Sequence, residues 1–90
     1  MARVAVILKV LPNDVSISPQ QLLEKIKSTL PQDYEIMDSG EEPIAFGLKA
    51  LKVIIAIPEE TEGGTEHLEE LLKQVDGVEE VEVEAVHRLS

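Results

Sequence analysis

The sequence predicts an α+β sandwich in which two helices cover one face of a four-stranded antiparallel sheet. Two observations carry this prediction. Four segments, 3–10, 34–40, 48–57 and 80–88, are rich in Val and Ile or alternate apolar with polar residues, as strands do. Two others, 18–30 and 65–76, repeat their apolar residues at helical spacing, and each lies between a pair of strands. The order is therefore β-α-β-β-α-β. Right-handed crossovers on both halves place the helices on the same face, with the first and third strands in the middle. Ninety residues make one domain, 1–90, which buries about 60% of its unfolded surface without disulfide or metal staples.

Each element has a local cause. Arg3–Val10 carries apolar residues on both parities, the pattern of a central strand. After the loop Leu11–Ile17, Ser18-Pro19-Gln20-Gln21 starts a helix. Ser18 is the N-cap, Pro19 suits the first helical position, Gln21 completes a capping box, and Ile17 can staple onto Leu22. Leu22, Leu23, Ile26 and Leu30 form its apolar stripe, and Pro31 stops it. Tyr34–Gly40 is a more polar strand suited to a sheet edge, with Tyr34, Ile36 and Asp38 alternating against Glu35, Met37 and Ser39. Leu48–Ile57 reads as a central strand. Gly63-Gly64-Thr65 opens the second helix, capped by Thr65 or Gly64, with Glu66, Glu69 and Glu70 complementing its N-terminal dipole. Its stripe is Leu68, Leu71, Leu72 and Val75, and Asp76-Gly77 ends it. In Glu80–Arg88, Val81, Val83 and Ala85 alternate with Glu80, Glu82 and Glu84. The complete pattern is that of a ferredoxin-like fold.

Charge and composition narrow the functions. The net charge is −10, and eleven acidic residues stand between Glu59 and Glu84 against one cation, Lys73. Such a surface repels phosphate backbones and suits a basic protein partner, so nucleic acid is not expected as a direct ligand. It also fits an acidic face that only keeps the chain in solution. The absence of cysteine removes disulfides, thiolate metal sites and Cys nucleophiles. No stretch reaches membrane-spanning length and no signal-peptide pattern opens the chain, so a cytoplasmic protein without membrane attachment is expected.

No constellation of catalytic residues accompanies the carboxylates. His67 and His87 fall on different elements, and Gly63-Gly64-Thr65 has neither the spacing nor the Lys of a phosphate loop. Glu59, Glu60 and Glu62 could hold a divalent ion, although carboxylates in loops are more often simply solvated. The expectation is a binding protein, not an enzyme, with no cofactor. Among functions this fold supports, RNA recognition lacks its stacking aromatics and metal delivery lacks its Cys pair. A regulatory domain that binds a small ligand and dimerises through Ile7, Ile54 and their neighbours remains as an alternative.

Strand parity singles out one residue. Val4, Val6, Leu8 and Val10 of the first strand face the helices, as do Leu51, Val53, Ile55 and Ile57 of the third. Extended backwards, that register puts Phe46, the only Phe in the chain, off the core face together with Leu48. A bulge at Gly47 would instead return Phe46 to the core. An off-core Phe at the start of a rigid strand is a candidate anchor for a partner's pocket.

The run Pro43-Ile44-Ala45-Phe46-Gly47-Leu48-Lys49-Ala50-Leu51 resembles the signature of the translation elongation factor 1-beta family. Gly63-Gly64-Thr65-Glu66, the strand Val78–Glu84 and the terminal His87-Arg88-Leu89 resemble its compact archaeal form, so the likeness covers the whole chain. The resemblance implies a guanine nucleotide exchange factor for elongation factor 1-alpha, acting as a monomer. It also implies that Phe46 enters a pocket on the GTPase, and that Arg88, just before Leu89, takes the place of a family Lys that approaches the Mg²⁺ site. Gly47, Lys49 and Lys52 would support the contact. Two departures stand out. Arg88 replaces Lys with a bulkier, planar cation, and Ser90 extends the end by one residue.

Overall fold

The computed structural model of the chain describes residues 2–60 and 64–89. Glu62 of the acidic trio, Gly63 at the expected start of the second helix, and Ser90 lie outside them. The elements are β1 (Arg3–Pro12), α1 (Pro19–Thr29), β2 (Glu35–Pro43), β3 (Lys49–Pro58), α2 (Thr65–Lys73) and β4 (Val78–Arg88). They form one antiparallel sheet in the order β2-β3-β1-β4, so β1 and β3 are central as expected. The expected ferredoxin-like sandwich is the observed one. The molecule is elongated, 41 × 20 × 18 Å, with its long axis suited to the ten- and eleven-residue strands.

Local chemistry explains the helices. The Ser18 side chain accepts from the Gln21 backbone N–H at 3.2 Å, and Gln21 Oε1 accepts from the Ser18 N–H at 2.8 Å, closing the capping box. Gly64, with φ 54°, is the N-cap of α2. Gly77, with φ 97°, makes the sharp return into β4, and a Cβ there would meet Ile17 Cδ1 at 3.0 Å. The core lies between the helices and the sheet. Val6, Leu8 and Val10 of β1 and Leu51, Val53, Ile55 and Ile57 of β3 meet Leu22 and Ile26 of α1 and Leu68 and Leu72 of α2. Tyr34 is buried, and its hydroxyl hydrogen-bonds His67 Nδ1 at 2.9 Å. His67 is therefore a surface residue with a specific partner.

Three strand details differ from the sequence reading. A bulge at Met37 separates Ile36, opposite Ile55, from Asp38, opposite Ile54. Ile36 and Asp38 thus lie on different faces, since one extra residue reverses the alternation. A second bulge, at Glu84, leaves Val83 opposite Leu8 but puts Ala85 opposite Ile7 on the open face, so Ala85 does not share the face of Val81 and Val83. Finally, β2 runs on to Pro43, and β3 begins at Lys49 rather than Leu48, so the connection between them is a short hairpin tip.

Candidate functional site

The tip is built from Ile44 to Leu48. Ile44 N–H donates to Leu48 O at 2.8 Å, and Leu48 N–H donates to Ala45 O at 3.3 Å. Inside this closure Phe46 takes φ 63° and ψ 31°, followed by Gly47 at φ 77°. Two successive left-handed residues under such a hydrogen bond describe a type I′ turn, in which Asn, Asp or Gly normally fills the first central position. Here the position holds Phe, which is 92% exposed and is the only non-glycine residue with positive φ among those described. A β-carbon in this region costs roughly 1–2 kcal/mol. The exposed ring also forgoes the ~1.5–3 kcal/mol that burying a large apolar side chain contributes. Phe46 therefore does nothing evident for the stability of the chain, while the turn aims it into solvent.

Around the tip the charges are organised. The open sheet face holds an ion network with one side chain from each strand: Lys9 (β1), Glu42 (β2), Lys52 (β3) and Glu84 (β4). Lys9 Nζ lies 2.7 Å from Glu42 and Lys52 Nζ 3.7 Å from Glu42, while Lys52 also pairs closely with Glu84. The hydrogen bond from Lys9 holds the Glu42 carboxyl below the ordinary glutamate range and raises Lys9. The bond to Glu84 raises Lys52 in the same way. Glu84 follows core-facing Val83 onto the open face, where it reaches Lys52, and the bulge brings Ala85 to that face as well.

The residues expected at the site do not form one patch. Phe46 and Gly47 make the tip. Lys49 stands at its base on the helix side of the sheet, 4.0 Å from Glu41. Lys52 lies on the opposite face within the network. Arg88 and Leu89 are at the other end of the molecule: Arg88 pairs with Val4 at the start of β1, whereas the tip lies beyond the pairing of Val10 with Leu51. Strand rise over that separation puts Phe46 and Arg88 about 30 Å apart. Arg88 holds Glu59 at 3.1 Å, and the Leu89 N–H donates to Arg3 O at 2.8 Å, anchoring the final residues along β1. Among the described residues, no group of three metal-capable side chains comes together. No helix among them is long and apolar enough to cross a membrane.

The sequence reading overlooked one neighbour of the tip. Val15, in the loop before α1, is 63% exposed, and its Cγ1 lies 4.0 Å from where a Cβ on Gly47 would stand, nearer than any described residue other than Phe46 and Leu48. A lone apolar residue within Asn13-Asp14-Val15-Ser16 was the available signal.

A solved structure shares this architecture. The C-terminal domain of the MgtC protein from Mycobacterium tuberculosis superposes with a TM-score of 0.58 over 92% of this chain and 86% of that domain, at 14% identity. That likeness defines the fold class and nothing further. The EF-1 guanine nucleotide exchange domain family matches residues 5–89, and the chain belongs to it. Among its relatives is elongation factor 1-beta of Aeropyrum pernix, 65% identical over 89 residues, spanning 99% of both chains. Those of Hyperthermus butylicus and Staphylothermus marinus are 60% and 59% identical over 90 residues, spanning all of this chain and 98% and 100% of theirs.

Proposed function

We propose that this chain, as a single monomeric domain of residues 1–90, promotes release of GDP from elongation factor 1-alpha and its replacement by GTP in the cytoplasm. It has no cofactor and no chemical active site of its own. The observation that carries this reading is Phe46: a large aromatic side chain held outward by an unfavourable turn, in a family of exchange domains. An exposed, rigidly presented ring gains binding energy when a pocket on a partner covers it.

The mechanism is linkage. A factor that binds the nucleotide-free GTPase more tightly than its GDP form must weaken GDP by the same ratio. In GTPases the P-loop and Mg²⁺ hold the phosphates, so disturbing either speeds release. In this reading Phe46 and Gly47 seat the tip in the partner, with Lys49 beside them. At the far end Arg88 and Leu89 approach the nucleotide region. Arg88 first exchanges Glu59 for an acidic or phosphate group of the partner, a planar bidentate contact. Lys52 contributes by holding Glu42 below the tip. The separation of about 30 Å means that one partner is gripped at two distant points. The test is release of fluorescent GDP from the matching elongation factor 1-alpha. Acceleration by the wild-type chain is expected, and unchanged release would sink the proposal.

A further inference from the structure

The tip is not one residue wide. Val15 and Phe46 are the two most exposed large apolar side chains among the described residues, and they belong to adjoining loops at the same end of the molecule. Val15 occupies the first central position of a β-turn spanning Asp14–Ile17. Ile17 N–H donates to Asp14 O at 3.2 Å, and Ser16 N–H donates to Asp14 Oδ1 at 3.0 Å. The bond from Ser16 holds the Asp14 carboxyl below the ordinary aspartate range. Asn13 N–H in turn donates to Gly77 O at 2.9 Å, tying the loop to the return from α2 into β4. Val15 is thus presented outward by a hydrogen-bonded frame, at a turn position where a β-branched apolar side chain gains no burial. Gly47 is where the two loops adjoin, and its φ of 77° is what the turn under Phe46 requires of a glycine. The cleft they share is lined by Val15, Ile17, Pro19, Glu41, Gly47 and Lys49.

We infer that Val15 is a second apolar anchor for the same GTPase, seated on the shoulder of the pocket that takes Phe46, and that it contributes grip on the partner and not the rate of release once bound. The occupant follows from continuity with the Phe46 tip, so the inference rests on the exchange reading. An isolated exposed apolar residue needs no explanation. Two of them, each fixed by its own turn and adjoining through a glycine, form a contact surface.

The experiment measures GDP release from the matching elongation factor 1-alpha against factor concentration, giving a half-saturating concentration and a maximal rate. Val15→Asp forces a charge into an apolar contact and should raise half-saturation about tenfold or more, with the maximal rate kept. Val15→Ala should raise it a few-fold. Met37→Asp adds the same charge at an exposed apolar residue of β2 and should leave it unchanged. Thermal unfolding should not move for Val15→Ala. Wild-type half-saturation for Val15→Asp, an equal effect of Met37→Asp, or a loss confined to maximal rate would each overturn the inference. If Phe46→Ala impairs exchange while Val15→Asp does not, the exchange reading stands and only this inference falls. A wild-type chain without activity removes both.

Discussion

Phe46 sits where a type I′ turn prefers Asn or Gly, and its ring is left almost fully exposed by the described residues. The two facts together separate stability from function at this position. Phe46→Gly relieves the left-handed β-carbon while adding unfolded-state entropy, so stability should stay within about 1 kcal/mol of wild type in denaturant unfolding. The same variant should lose most of its GDP-release activity. If it remained fully active, Phe46 would not be the anchor. Gly77 gives the opposite case. Its φ of 97° and the 3.0 Å approach to Ile17 mean that Gly77→Ala should destabilise by about 1–3 kcal/mol. Arg88 lies at the other end of the sheet, so the maximal rate of release by the folded fraction should be kept, while the pressure on Ile17 in the Val15 turn acts on half-saturation. Phe46 was singled out by parity carried back from Val53 and Leu51, yet parity is not why it is exposed. The strand starts at Lys49, and a turn of opposite handedness, not the pleat, directs the ring outward.

At the scale of elements, the four-strand ion network joins the sheet to the base of the tip. Exposed single pairs contribute little, but linked pairs restrain one another. Glu42 is held below the ordinary glutamate range, so its contribution is present above that range and lost as pH falls through its lower, folded value. Lys9 and Lys52 are raised, so theirs is present below the ordinary lysine range and lost as pH climbs through their higher folded values. Glu42→Gln should therefore flatten the acid limb of the stability profile, measured by chemical unfolding across pH. A variant that kept the wild-type acid dependence would show that Glu42 does not carry it. The alternation of Lys9 and Lys52 off the core face was readable beforehand. So was that of Glu84, opposite in parity to Val83, whereas the open-face position of Ala85 was not, because a bulge is invisible to period-two counting. The α1 cap was fully readable, since its bonds join residues three apart, and Ser18→Ala should cost about 1 kcal/mol by thermal unfolding.

Over the whole molecule, the expected contacts occupy two ends of an elongated body. Deleting Arg88–Ser90 should lower the maximal rate of GDP release with a smaller effect on half-saturation, whereas Phe46→Ala should act mainly on half-saturation. Sites this far apart that share no contacting residue should combine additively, so the double variant's loss should equal the sum of the single losses in free energy. Strong non-additivity would mean that the two ends act through one another. A truncation with full activity would remove Arg88 from the mechanism.

By itself the sequence determined the element order, the two helix starts, the central strands with their buried faces, and a family signature centred on Phe46. These rest on residues close in the chain or on strict periodicity, both of which survive without tertiary information. Only the tertiary structure decided the left-handed turn under Phe46, the bulges at Met37 and Glu84, the hold of Glu59 on Arg88, and the meeting of Val15 with Gly47. Each depends on which distant backbone lies alongside, and one inserted residue or one positive φ redirects a side chain without changing the local pattern of apolar and polar residues.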